Sequence, residues 1–296
     1  LLHALPIFHV HGLYVALNTS FLNGNEILWF DRYDAAAALA AFSKATVMMG
    51  VPTFYTRLLD EPGLTAEACA NMRLFISGSA PLLAETHKVF YQRTGHAILE
   101  RYGMTETGMI ASNPYDGARV PGTVGMALPG VSVRISGPQP GVIEVKGPNG
   151  FKGYWRMPEK TKEEFTVDGY FITGDVGTID GEGRVTISGR AKDLIISGGF
   201  NVYPKEVEDV IDAMPGVIES AVIGVPHPDF GEAVVAVIAA KDELPDEAAM
   251  IAKLSKSLAK FKVPKRIFVA SELPRNTMGK VKKSELRKLH AGIFGR

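Results

Sequence analysis

Residues 100–107 read Glu100-Arg101-Tyr102-Gly103-Met104-Thr105-Glu106-Thr107. The run Ala97–Arg101 predicts a short strand, which ends here in a turn carrying hydroxyls, an aromatic ring and a carboxylate. A carboxylate beside a phosphate-contacting hydroxyl suits Mg²⁺, which prefers oxygen ligands shared with a nucleotide. A capped loop with a solvated glutamate is the plainer alternative. The density of such groups over eight residues favours a site.

Outward from this segment toward the N-terminus, helical and strand patterns alternate. Asp34 can cap the alanine-rich stretch Ala35–Lys44, and the apolar run Ala45–Val51 reads as a buried strand. Thr53–Leu59 predicts a short helix, Met72–Ser77 a strand and Leu82–Arg93 a helix. Short strands separated by helices predict an α/β unit with a mostly parallel, buried sheet. On the other side, from about residue 120 to 190, glycine and proline become frequent. Alternating runs appear at Val131–Ile135, Val142–Lys146, Tyr170–Thr173 and Arg184–Ser188, with turn signals at Asp180-Gly181 and Glu182-Gly183. These predict an antiparallel sheet or a small β-barrel.

Beyond residue 191 the pattern is that of a small α+β unit. Pro204 opens an amphipathic helix with Val207, Val210, Ile211 and Met214. Val217–Val225, Ala233–Ala240 and Arg266–Val269 read as strands and Asp246–Lys260 as a helix. The domains expected are therefore 1–190 and 191–296, joined at residues 190–193.

The chain has 296 residues, a length for two domains at about 100–200 residues each. Hydrophobic residues make up 46% and charged residues 22%, which excludes a disordered chain. Thirty-two basic residues balance 32 acidic ones, so no nucleic-acid or membrane-surface partner is expected from charge. A single cysteine, Cys69, excludes internal disulfides and multi-cysteine zinc sites. No apolar run approaches the ~18–20 residues of a membrane span. A cytoplasmic protein is expected, with targeting upstream of Leu1 left open. The start lacks a charged leader followed by a small-residue cleavage site, and it falls inside a strand pattern. The sequence therefore reads as a fragment.

Three further segments bear on chemistry. Ser77-Gly78-Ser79-Ala80-Pro81-Leu82 lies between a strand and a helix, where backbone amides can bind an anion or pack under a flat ring; a tight turn is the alternative. Tyr170-Phe171-Ile172-Thr173-Gly174-Asp175, followed fifteen residues later by Gly189-Arg190, offers an aspartate that can accept both hydrogen bonds of a ribose diol. A strand-end turn is again the alternative. Leu273-Pro274-Arg275-Asn276-Thr277-Met278-Gly279-Lys280-Val281 sets a lysine on a turn, where it can neutralise charge on a transferring phosphoryl group. Between Lys253 and Lys288 there are twelve basic residues and two acidic ones, so a solvated lysine is the alternative there. His9 and His11 would share a face of a strand, but no third ligand is apparent and a metal site is not expected there.

In this order and at these spacings, the four segments resemble the acyl-adenylate-forming superfamily of acyl-CoA synthetases, and the match runs over the whole chain. Gly50-Val51-Pro52-Thr53-Phe54-Tyr55-Thr56-Arg57, Ser77–Leu82, Glu100–Thr107 and Ser197–Glu208 are especially similar to malonyl-CoA synthetases. The resemblance implies an α/β fold: an incomplete large adenylation domain of parallel α/β layers plus a small β-barrel, followed by a small α+β C-terminal domain. It implies a ligase that uses ATP and Mg²⁺ to activate malonate and then passes the acyl group to CoA.

On the matching positions, Thr105 would hold the α-phosphate and Glu106 would ligate Mg²⁺. Asp175 and Arg190 would hold the ribose, with Ser79, Ala80 and Tyr102 around the adenine or acyl group. Lys280 would bridge the attacking carboxylate and the phosphate, and Lys192 would be the hinge. Ser197, Gly198 and Gly199 would shape the path of CoA. Arg57 would pair the distal carboxylate of malonate, assisted by Ser79 and His9, since a desolvated second charge calls for a planar guanidinium. Val10 and Met104 would pack near the methylene carbon. The phosphate-clasping loop of the family has no counterpart here and would precede Leu1, and the connection Ser136–Gly141 is shorter than in most of that family. The alternatives are a ligase for methylmalonate or another short acid, and a noncatalytic nucleotide- or CoA-binding remnant.

Overall fold

The run of alanines after Asp34 folds as expected. In the computed structural model, which describes residues 1–240, 246–276 and 279–295, the Asp34 carboxylate accepts the amide of Ala37 at 2.8 Å and caps the helix Ala35–Ala41. That helix is α2; α1 is the short Thr19–Leu22, which continues a wider π-type turn over His11–Asn18. Further along come α3 (Pro52–Leu59), started by a proline that needs no amide partner, and α4 (Ala84–Thr94), stopped by Gly95 at φ +76°.

The helices alternate with β1 (Leu2–His3), β2 (Leu28–Trp29), β3 (Val47–Gly50), β4 (Leu74–Ser77) and β5 (Leu99–Met104), which β6 (Gly108–Ser112) and β7 (Met126–Ala127) extend. The sheet order is β2-β1-β3-β4-β5-β6-β7. Pairings from β2 through β5 are parallel, and the last two are antiparallel. Phe75 on β4 centres the core, edge-on to Phe42, Tyr55 and Phe90 at 5.5, 6.5 and 5.0 Å. Arg93 ties the end of α4 to the α3 corner by donating to the carbonyls of Leu59, Glu61 and Leu64.

The glycine-rich stretch forms a four-stranded sheet of β8 (Ser132–Ser136), β9 (Gly141–Lys146), β10 (Phe171–Ile179) and β11 (Val185–Arg190), in the order β11-β10-β9-β8. Its closure into a barrel is not seen among the described residues. Strand β10 is longer than the alternating run Tyr170–Thr173 suggested, because Gly174 at φ +70° carries the strand past Asp175. The helix α5 (Pro158–Glu163) lies between β9 and β10.

The chain divides into two compact units: Leu1–Thr173 with Gly177–Ile187, and Gly174–Val176 with Ser188–Arg296. In the second, β12 (Ile195–Ser197) and β13 (Phe200–Val202) form a hairpin, and β14 (Val217–His227), β15 (Gly231–Ala240) and β16 (Arg266–Ala270) complete the sheet. Its helices are α6 (Pro204–Asp212), α7 (Glu247–Leu254) and α8 (Lys283–His290). Val222, Val234, Ala236 and Ile238 pack with Val207, Ile211 and Leu254. Ala221, Ile223, Val225, Val235 and Val237 pack with Leu273 and Leu286. Burial on both faces explains why residues 233–240 are an unbroken apolar run. Helix α7 ends earlier than Lys260, in turns that bury Leu258. No helix among the described residues is long and apolar enough to cross a membrane.

Candidate functional site

In the first unit the candidate residues gather at the carboxyl ends of β4 and β5, where open α/β sheets bind ligands. After β4, Ser79 adopts φ +70°, a left-handed conformation that a serine holds only when its surroundings impose it. Its hydroxyl lies 3.0 Å from His11 Nδ1. His9 Nδ1 in turn accepts the His11 amide at 3.2 Å. The two histidines do not share a strand face. Val10 caps the helical turn that starts at His11, so His9 stays outside it and His11 points into the fold, 5% exposed. Burial pushes the His11 pKa down to about 4, with His9, Arg101 and His3 adding to the shift, so its ring is neutral at physiological pH.

Along β5 the side chains alternate. Glu100 and Tyr102 are buried, and Glu100 meets His87 of α4 at 3.4 Å. Arg101 points the other way and acts on His11. Its guanidinium is half-buried, its pKa is lowered by desolvation, and its Nε finds no acceptor among the described residues. Arg101 belongs to the segment 100–107, whose pattern of residue types assigns it no role.

The turn after β5 is built on glycine. At Gly103 the strand pairing skips a residue, and a Cβ would stand 2.2 Å from the Gly108 carbonyl oxygen. Thr105 is exposed at the tip, Met104 is half-buried and Ala80 is exposed. Asn149 donates to the carbonyls of Thr107 and Met109 at 2.8 and 3.0 Å, and the Phe151 amide donates to the Glu106 carbonyl at 2.7 Å. The Tyr154 hydroxyl donates to Glu106 Oε1 at 3.1 Å. Burial and the Glu106 carboxylate push that phenol up to about 12. Sequence reasoning missed Asn149 and Tyr154, because neither lies near residues 105–107 along the chain.

Arg57 stands elsewhere. It is exposed on the last turn of α3, its side chain makes no hydrogen bond or ion pair among the described residues, and it has Tyr33 within its electrostatic reach. The cation that the fold brings beside His11 is Arg101 instead.

The second unit holds the other candidates. Asp175 is buried and paired with Arg190, whose Nε lies 2.8 Å from Asp175 Oδ1. Lys280 has an exposed side chain, yet partial burial and the cations Arg190 and Lys192 hold its ammonium below the usual lysine range, with Asp175 opposing them. Thr277 and Met278 of the same segment lie outside the described residues. Lys192 is exposed in a 3₁₀ turn, Ala191–Asp193, whose Asp193 accepts from Arg287. Gly198 at φ +58° and Gly199 at φ +82° form a two-residue hairpin turn that needs glycine, and Ser197 is buried before it. Among the described residues, no group of three His, Cys, Asp or Glu side chains is placed to hold a metal ion.

Residues 1–155 match the AMP-binding enzyme family and residues 206–280 match the AMP-binding enzyme C-terminal domain. The chain is 39% identical to a malonate–CoA ligase of Arabidopsis thaliana, over 97% of this chain and 53% of that protein. It is 37% identical to a sulfoacetate–CoA ligase of Cupriavidus necator, over 96% of this chain and 58% of that protein. The ATP-bound structure of MatB from Rhodopseudomonas palustris superposes with a TM-score of 0.96 and 59% identity, covering 99% of this chain and 60% of that one. The chain thus spans a little over half the length of these relatives. With more than half of its residues matched to the family's domain, the chain belongs to the AMP-binding enzymes, the acyl-adenylate-forming superfamily.

Proposed function

We propose that the protein containing this chain is an acid–thiol ligase that activates malonate with ATP and transfers the malonyl group to CoA, giving malonyl-CoA, AMP and pyrophosphate. The observation that carries this reading is the half-buried guanidinium of Arg101, its Nε without an acceptor among the described residues, beside the neutral His11 and the strained Ser79. A half-buried guanidinium whose Nε has no acceptor among the described residues is costly, and a substrate with a second anionic group supplies one. The malonate–CoA ligase of Arabidopsis and the likeness to MatB support the same substrate.

In the first step a malonate carboxylate oxygen attacks the α-phosphorus of ATP and pyrophosphate leaves with the bonding electrons. In the second, the CoA thiolate attacks the acyl carbon of malonyl-AMP and AMP leaves. Arg101, Ser79 and His9 hold the distal carboxylate, with Arg57 a further candidate cation. Met104 bounds the methylene carbon, so its size decides whether methylmalonate is accepted. Ala80 and Tyr102 border the adenine, Asp175 and Arg190 the ribose, and Thr105 the α-phosphate. Lys280 carries the charge that meets the transferring phosphoryl group, and Ser197, Gly198 and Gly199 border the pantetheine after a turn about Lys192.

Mg²⁺ fits Glu106. One carboxylate oxygen takes the Tyr154 hydroxyl, and the other has no donor among the described residues. When bound, the ion would neutralise charge on the nucleotide phosphates.

A second reading keeps the chemistry and changes the acid. A sulfonate would pair with Arg101 as a carboxylate does, and one relative is named for sulfoacetate. AMP formation measured with malonate, methylmalonate, sulfoacetate and acetate separates the two. Malonate as the preferred acid supports the proposal, and sulfoacetate or acetate in that place overturns it.

A further inference from the structure

Lys280 sits on a turn whose base packs into its unit through Leu273 and Val281 and whose tip is reached by Arg275. The turn is a narrow hairpin: Arg275 bridges Val281 in antiparallel fashion, and the Lys282 amide donates to the Pro274 carbonyl at 2.7 Å. Asn276 closes it, donating its amide to the Lys280 carbonyl at 2.9 Å and accepting the Lys280 amide on its side chain at 3.0 Å. These bonds shape the turn, and Leu273 and Val281 at its base pack against the core of the unit. Arg275 adds the polar attachment nearest Lys280. One end of its guanidinium donates to the Gly279 carbonyl at 2.5 Å, the residue before Lys280. The other end donates to both carboxylate oxygens of Glu219 on β14.

Glu219 is in reach because β14 is irregular there. Val217 pairs with Ala240 and Glu219 with Ala239, so Ile218 is an extra residue opposite the partner strand. A bulge of this kind re-aims the neighbouring side chain. Glu219 and Arg275 are both half-buried, with side chains 26% and 31% exposed, which places this pair between the freely solvated and the fully desolvated case.

We propose that the Glu219–Arg275 pair is a positioning device for Lys280, fixing the turn to β14 so that the ammonium is held ready for the adenylation step; this rests on the role given to Lys280 above. Arg275 and Glu219 act through the Gly279 carbonyl and touch no substrate. Because Lys280 is assigned to adenylation alone, the clamp matters to one half-reaction and not to the other. A pair that merely stabilised the unit would affect both.

The test measures two rates on the full reading frame that contains this chain: pyrophosphate release from ATP and malonate, and thioester formation from preformed malonyl-AMP and CoA. Glu219→Gln and Arg275→Met are expected to slow pyrophosphate release by about tenfold to a hundredfold, the cost of a misplaced catalytic group. KM for ATP and malonate and the thioester rate are expected to stay unchanged. Arg275→Lys, which can keep the ion pair but not the fork to Gly279, is expected to fall between. Equal losses in the two half-reactions, or no loss of pyrophosphate release, overturn the proposal. Lys280→Ala is run beside them. If it abolishes pyrophosphate release while Glu219→Gln does not slow it, only the clamp is wrong. If Lys280→Ala leaves pyrophosphate release intact, the role of Lys280 falls and the clamp with it.

Discussion

His11 Nδ1 lies 3.0 Å from the hydroxyl of Ser79, a residue sixty-eight positions away. Ser79 keeps its left-handed backbone there at a cost of about 1–3 kcal/mol. The histidine ring lies alongside Gly78, where an added Cβ would come within 3.4 Å of His11 Cε1. A neutral ring is part of this arrangement, since Arg101 would repel a protonated one.

The consequence is a pH-dependent stability. The His11 pKa drops from 6.5 to about 4 on folding, so the unfolded chain binds more protons between those values. Stability therefore falls as pH is lowered from 6.5 toward 4, by about 3 kcal/mol from this residue. In His11→Asn that part of the slope is expected to vanish. Urea unfolding of both proteins at neutral pH and near the lower value measures the difference.

On the proposed function, two arginines are candidates for the distal carboxylate of malonate. Arg101 is half-buried beside His11 and Arg57 is exposed on α3. Arg101→Met is expected to lower kcat/KM for malonate by about a hundredfold or more, the loss of a buried charge-paired contact. KM for ATP is expected to stay near its original value, and Arg57→Leu to cost less. Steady-state kinetics with malonate and ATP varied in turn decide it. The reverse ranking would return the role to Arg57.

The second unit carries a buried carboxyl of its own. Asp212 at the end of α6 has Oδ1 enclosed without a hydrogen-bond partner among the described residues, as has the Ser220 hydroxyl. That hydroxyl is still near enough to counter part of the shift that burial imposes, and the Asp212 pKa rises from 3.8 to about 7. Here the folded chain binds more protons, so stability is full below 3.8 and is lost as pH rises through 7. Asp212→Asn is expected to gain on the parent protein by up to about 4 kcal/mol between acid and mildly alkaline pH. Thermal unfolding across that range measures the gain.

In the role proposed for it, Lys280 must be protonated to meet a phosphoryl oxygen, and its pKa lies below the ordinary lysine value. The adenylation rate should therefore fall on the alkaline side earlier than for a free lysine. Lys192→Met removes one of the two cations that depress it, so the alkaline limb is expected to move to higher pH. A pH–rate profile of pyrophosphate release shows the direction.

The layers of the fold were legible along the chain because periodicity and local punctuation coincide with them. Asp34 before an alanine run, Pro52 and Pro204 at helix starts, and the apolar run at 233–240 each name their element. What was not legible depends on distance between segments. Arg101 looks like any strand residue until His11, ninety positions earlier, is folded against it. Tyr154 reaches Glu106 across forty-eight positions. Arg57 sits in a segment like those of malonyl-CoA synthetases and is exposed on α3, a placement that leaves its role open to the kinetic test above. The histidines of 9–11 fell on a helix start and not a strand, because the apolar stretch His11–Asn18 buries one side as a helical turn.

The most direct test of the central claim is AMP formation by the full reading frame containing this chain, with ATP, Mg²⁺ and CoA, across malonate, methylmalonate, sulfoacetate and acetate. Malonate-dependent AMP, lost in Arg101→Met, is the expected result. Equal use of acetate and malonate, with no effect of Arg101→Met, would contradict it.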